Sequence, residues 1–248
     1  MSWVCVVPVK GSAGAKSRLG ILPETFPARG ELAEAFALDT VAALLGAVMV
    51  EQVFVVTADP AAAAPLAALG ARIVPELPQK DPSGPAKGHL AATREIGSAD
   101  VPQKDPSGPT GDIAAPRDPL NAAIDEGIRV AHEHYPLCNV AVLTGDLPAL
   151  TVADVEVTLT AASAHDLAMV ADEEGTGTTT LLARAGTRFT PRFGPGSRAA
   201  HEAAGHVPLD LPAMASIRRD VDTVDNLAEV LRRGVGAHTS ALIARSQQ

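Results

Sequence analysis

Aromatic side chains are scarce in this 248-residue chain, at 3%, so its core must be built mostly from Ala, Val and Leu. Cysteine is almost absent. Cys5 and Cys138 both stand beside apolar, strand-like runs, where buried reduced thiols are expected rather than a disulfide. Positive charge is in deficit, with 20 Lys and Arg against 29 Asp and Glu and a net charge of −9. That balance argues against a nucleic-acid-binding surface. No apolar run approaches membrane-spanning length, so no membrane partner is expected. The opening residues carry no basic region and no signal-like apolar stretch, and a cytoplasmic protein is expected. Two familiar phosphate-binding fingerprints are also missing. The P-loop fails because the second glycine of Gly14-Ala15-Lys16-Ser17 is displaced, and the Rossmann G-x-G-x-x-G is not found.

What remains is 46% hydrophobic and 20% charged, ample for one α/β domain over residues 1–248. The most informative stretch is Asn139 to Leu150. Val140 to Leu143 is an unbroken apolar run, as in a strand buried on both faces, and it stops at Thr144-Gly145-Asp146-Leu147-Pro148. A carboxylate just past a buried strand stands at the carboxyl edge of a sheet, where open α/β folds bind ligands. Gly145 allows close approach to the backbone, and Pro148 fixes the turn. Asp146 is read either as a ligand of a phosphate-bearing Mg²⁺ or as a cap of the next helix.

The first strand is expected at Trp3 to Val9. The small-residue loop after it carries Lys10, Lys16 and Arg18, three cations in an acidic chain. Backbone N–H groups and cationic tips in such a loop suit phosphates. Glu31 to Val48 reads as a helix with Leu32, Phe36, Thr40, Leu44 and Val48 on one stripe. Strands follow at Gln52 to Thr57 and Arg72 to Pro75, around an Ala-rich helix that Gly70 closes, with Asp59 read as its cap or, as a minority reading, as a contact to a nucleobase. Residues 76–117 break the pattern. Pro78-Gln-Lys-Asp-Pro-Ser-Gly-Pro85 recurs identically at 102–109, and its composition cannot bury a core. We expect a disordered surface insertion there, with a short helix near 89–96.

Asp118-Pro119 opens a further helix, with Asn121 in its first turn facing either a base or ribose or only solvent. His132 and His134 read as surface residues. After Asp146 the pattern predicts a helix at Val152 to Ala162 and strands at Leu167 to Ala171 and Thr179 to Ala183. Gly175-Thr176-Gly177-Thr178 between the strands is either a hairpin turn or a backbone cradle for an anion. Ser197 is read as the N-cap of a helix, where an anion is favoured, with Arg192 adding charge. A strand through Arg219 to Thr223 would put Asp220 and Asp222 on one side, Asp222 also opening the last helix.

These segments together resemble the guanylyltransferases of deazaflavin coenzyme (F-420) biosynthesis, which act on phosphoenolpyruvate or 2-phospho-L-lactate. The likeness rests on Pro8-Val9-Lys10 with Lys16 to Leu19, Asp118 to Asn121, Thr144 to Leu150, Gly175 to Thr178, Arg192 to Ser197 and Asp220 to Thr223. It implies a nucleotide-diphospho-sugar transferase-like Rossmann fold, with one mixed, mostly parallel sheet and helices on both faces. It also implies Mg²⁺ on Asp146 and Asp222, and a phosphorylated three-carbon acid on Thr178, Gly194 and Ser197. GTP would lie on the N-terminal loop, and a homodimer is possible. The family often has an acidic residue where this chain has Gly196. The implied reaction transfers GMP from GTP to phosphoenolpyruvate, 2-phospho-L-lactate or 3-phosphoglycerate. A nucleotide-sugar glycosyltransferase is the competing expectation, because Asp220-Val221-Asp222 is a D-x-D.

Overall fold

In the computed structural model, residues 1–10, 19, 22, 26–76 and 118–247 are described. Lys16, Arg18, the repeated octapeptide and the helix expected near 89–96 lie outside them.

The described strands form one seven-stranded sheet. In chain order they are β1 (Trp3–Pro8), β2 (Val50–Thr57), β3 (Arg72–Pro75), β4 (Asn139–Leu143), β5 (Leu167–Ala171), β6 (Thr178–Ala183) and β7 (Val207–Pro208). Their spatial order is β3-β2-β1-β4-β6-β5-β7. All neighbours pair in parallel except β6, which runs antiparallel to both β4 and β5. The mixed, mostly parallel sheet is the one expected. Its reversed strand follows from the Asp172 to Gly177 hairpin, which is too short for a parallel crossover.

Helices cover both faces, and the two-residue period of the strands decides which residue meets which helix. Cys5, Val7, Val53, Val55, Ala141 and Leu143 pack on one side with α1 (Arg29–Leu45), α2 (Pro60–Ala68) and α4 (Val152–Ala162). Val4, Val6, Phe54, Val56, Val140 and Val142 face the other side, against α3 (Pro119–His134). α3 lies so close to the sheet that a Cβ on Gly127 would fall 2.5 Å from Val6 Cγ1 and 2.6 Å from Val56 Cγ2. α5 (Ser197–Ala203) follows β6. A third layer, α6 (Val224–Arg233) and α7 (Ala237–Ser246), packs Leu227, Val230 and Leu242 on the outer side of α1.

Asp59 and Asp118 cap α2 and α3 as expected, each accepting a backbone N–H at 2.9 Å. α1 departs from its expected end. It stops at Leu45, and Val48, placed on the apolar stripe, is 92% exposed beyond it. Gly46 closes the helix, so the 3.6-residue count no longer applies there. Both cysteines are unpaired, Cys5 buried and Cys138 only half-buried. No helix among the described residues is long and apolar enough to cross a membrane.

Candidate active site

The chain passes from β1 to β2 on one side and returns at β4 on the other, so β1 stands where the sheet's winding reverses. The carboxyl ends of β1 and β4 are where such a sheet opens a crevice. A cavity of about 640 Å³ occupies that place, lined by Pro8, Val9 and Lys10 after β1 and Thr144, Gly145 and Asp146 after β4. Asp172, Glu174, Thr176 to Thr178, Gly194 to Ser197, Asp220 and Asp222 contribute further walls. A volume of this size suits a small-molecule site.

The turn carrying Asp146 is held from three directions. Thr40 on α1 accepts the Leu147 N–H at 3.1 Å while donating to the Phe36 carbonyl at 2.8 Å. The Asp146 carbonyl accepts the Val221 N–H at 3.1 Å, and the Pro148 carbonyl accepts the Gly236 N–H at 2.8 Å. The neighbour that Gly145 admits is the end of β1, since a Cβ there would sit 3.1 Å from the Pro8 carbonyl oxygen. The Val221 bond brings the 219–223 segment alongside Asp146, although that segment is not the strand expected of it. Asp222 is not the helix cap either. Thr223 caps α6, its hydroxyl accepting the Asn226 N–H and the Asn226 side chain accepting the Thr223 N–H at 2.9 Å. With that duty on Thr223, Asp222 lines the cavity.

Asp146, Asp220 and Asp222 each offer an oxygen within 4.8 Å of the others, the one such cluster of potential ligands among the described residues. Burial first, then the charges of Asp146 and Asp222, push the Asp220 carboxyl up to about 7. Three converging, half-buried carboxylates fit a hard divalent cation, which takes oxygen ligands and would relieve their repulsion.

Thr178 and Ser197, 6% and 3% exposed, line the same cavity with Gly194. Ser197 is the first residue of α5 rather than its cap. Gly196 takes that place, at φ 72°, a left-handed conformation that glycine adopts without penalty. The Gly175 to Thr178 turn does not present an open cradle. The Thr176 and Gly177 N–H groups donate to the Asp172 carboxylate at 2.9 and 2.7 Å.

Lys10 lines the cavity; Arg192 and Asn121 do not. Asn121 is half-buried. Its amide grips the backbone of Phe193 from both ends, donating to the carbonyl at 2.9 Å and accepting the N–H at 2.8 Å. The sequence reading missed Asp172, Thr144, Asn226 and the full part played by Asp220. Thr144 Oγ1 is buried with no partner among the described residues and lines the cavity beside Asp146. Its place two residues before Asp146 was the available signal.

No family model matches the chain. It is 44% identical over 245 residues to a phosphoenolpyruvate guanylyltransferase of Streptomyces scabiei, covering 99% of this chain and 97% of that protein. A second phosphoenolpyruvate guanylyltransferase, from Thermomonospora curvata, is 39% identical, with 99% and 90% covered. Among solved structures, a candidate nucleotide-diphospho-sugar transferase from Desulfovibrio desulfuricans G20 superposes with a TM-score of 0.55 at 15% identity, covering 99% of both chains. A 4-diphosphocytidyl-2C-methyl-D-erythritol synthase does so at 0.51 and 13%, covering 94% of this chain and 98% of that one. These two establish the nucleotide-diphospho-sugar transferase-like Rossmann fold and nothing finer. With such identity along nearly its whole length to the first two proteins, the chain belongs to the phosphoenolpyruvate guanylyltransferase family.

Proposed function

We propose that the cavity joins GMP from GTP to phosphoenolpyruvate, forming enolpyruvyl-diphospho-guanosine and pyrophosphate on the route to coenzyme F-420. A phosphate oxygen of the acid attacks the α-phosphorus of GTP in line. The bond from that phosphorus to the bridging β-oxygen breaks, and pyrophosphate leaves with its electron pair. The nucleophile is already anionic, so no general base is needed, and none of the cavity residues is asked to be one.

The difficulty is that two polyanions must meet. Asp146, Asp220 and Asp222 would hold Mg²⁺, which neutralises the triphosphate and the charge developing on the transferred phosphorus. Thr178, Gly194 and Ser197 hold the acid, which is a contribution of positioning. Lys10, with Lys16 and Arg18, balances the departing pyrophosphate. Thr144 Oγ1 donates to a ligand oxygen.

The observation that carries this reading is the convergence of the three carboxylates in the cavity that Thr178 and Ser197 also line. Purified protein incubated with GTP, Mg²⁺ and each of phosphoenolpyruvate, 2-phospho-L-lactate and 3-phosphoglycerate tests it. Pyrophosphate release greatest with phosphoenolpyruvate is expected. Release with none of the three would refute the guanylyl transfer.

A further inference from the structure

His201, on α5, is 0% exposed and stands behind the cavity wall. Its Nε2 accepts the Arg192 backbone N–H at 2.9 Å. Its Nδ1 lies 2.9 Å from Thr178 Oγ1. A backbone N–H can only donate, so Nε2 must carry a lone pair. A neutral ring then has its proton on Nδ1, and that proton goes to Thr178 Oγ1. The Thr178 hydroxyl is left with a proton to place, and Oγ1 has no other partner among the described residues. The side open to it is the cavity that Thr178 lines.

We propose that His201 is a positioning residue for the acceptor acid: it engages the Thr178 oxygen from behind and turns the hydroxyl proton into the cavity. Thr178 then meets its ligand with its proton free to donate and one lone pair already engaged. It favours an anionic oxygen, a phosphate or carboxylate of the acid, as the acceptor of that proton. The assignment of that ligand rests on the function proposed above; the direction of the hydroxyl does not.

Two other observations agree. His201 also braces the loop that supplies Gly194, through the Arg192 bond and an edge-to-face contact with Phe193 at 5.3 Å between ring centres. Asn121 holds the same Phe193 from the other side. Burial, with His206 and Arg192 nearby, lowers the His201 pKa to about 4, so the ring is neutral at pH 7.

The test has two parts. Nitrogen-15 spectra of ring-labelled wild-type protein read the His201 tautomer without any substrate. A protonated Nδ1 with a bare Nε2 is expected, and a protonated Nε2 overturns the proposal. Kinetics follow with His201→Gln, whose amide oxygen can replace Nε2 toward Arg192 but cannot reach Thr178. KM for phosphoenolpyruvate should rise about tenfold or more, with kcat and KM for GTP unchanged. Thr178→Val should raise the same KM at least as far, and the double variant should be no worse than Thr178→Val alone. Multiplying effects, or an unchanged KM in His201→Gln, would overturn it. His201→Asn, which keeps a donor near Thr178, should restore a near-native KM. If the wild-type protein releases no pyrophosphate with phosphoenolpyruvate, the acceptor assignment fails, while the ring spectra still decide the hydroxyl's direction.

Discussion

The backbone carbonyl of Asp146 accepts the N–H of Val221 at 3.1 Å, so two carboxylate-bearing segments far apart in the chain are joined through main-chain atoms. The side chains take no part in that bond. Asp146→Asn should therefore leave the fold intact and remove one of the three charges facing the proposed cation. Turnover should fall at least about 100-fold, with a raised Mg²⁺ requirement and a thermal midpoint within a few degrees of the parent. Full activity in this variant would remove Asp146 from the mechanism.

Three carboxylates within 4.8 Å repel one another when no cation is present, and burial first, then the charges of Asp146 and Asp222, raise the Asp220 pKa. Asp220→Asn should raise the melting temperature of the metal-free protein, by roughly 2–4 °C for each 1 kcal/mol of repulsion relieved. It should also abolish the further rise that Mg²⁺ gives the parent. Opposite changes in the two scans are what distinguish a strained ligand set from ordinary surface acids. A metal-free midpoint lower than the parent's would contradict this.

Thr40 acts on the site from a distance. Its buried hydroxyl is the partner of the Leu147 N–H, one residue past Asp146. Thr40→Val fills the space but leaves that N–H unsatisfied, which should cost about 1–3 kcal/mol in urea unfolding. Activity should fall as well, because the Asp146 turn loses one of its three ties. Thr40→Ser should recover most of both losses.

Where the sequence was legible, the determinants were local. The apolar run Val140 to Leu143 and its abrupt end located β4, and Asp59 and Asp118 stood immediately before Pro-initiated helices that they cap. Ambiguity entered where two cap-forming residues adjoin. Asp222 and Thr223 are equally suitable by type, and only the Asn226 side chain reaching back to Thr223 selects between them. Gly196 displaced Ser197 as cap through a left-handed backbone that side-chain preferences do not reveal. The Asn121 clamp leaves no sequence signal for a different reason. Its partner, Phe193, is remote in sequence, and a long-range amide–backbone clamp leaves no periodic trace. His201 was likewise invisible: one histidine in an alanine-rich helix marks nothing until Thr178 and Arg192 are beside it.

The buried histidines set the acid limb of stability. Burial lowers the pKa of His201, to about 4, and of His206, and the half-burial of His132 lowers that residue's too. Between roughly pH 6.5 and 4 the unfolded chain therefore binds protons that the native state does not. Native stability must then fall as pH drops, by at most about 1.4 kcal/mol per pH unit for each such group. Asp220 works in the opposite sense, since its raised pKa lets the native state bind a proton that the unfolded chain lacks in much of the same window. The Asp220→Asn variant removes this opposing contribution. Its urea midpoint should drop more steeply from pH 7 to 5 than the parent's, and parallel profiles would refute the balance.

Gly127 offers a check on the packing that aims the sheet at the site. α3 crosses directly over β1 and β2, and a methyl group on Gly127 would overlap Val6 and Val56, whose side chains are both buried. Neither valine is the far end of a long flexible chain, so the helix itself must lift. Gly127→Ala should gain a little helix propensity, about 1 kcal/mol, and lose more than that to overpacking, about 1–3 kcal/mol. Lifting α3 would also shift Asn121 in its first turn, and with it the Phe193 backbone that Asn121 grips. The variant should therefore show a lower unfolding midpoint together with a higher KM for the acid and little change in KM for GTP. Trimming Val56 to alanine in the same chain makes room for the methyl group and should return part of both losses. If it returns stability but not KM, α3 does not carry Asn121 with it and the Phe193 loop is held by other contacts.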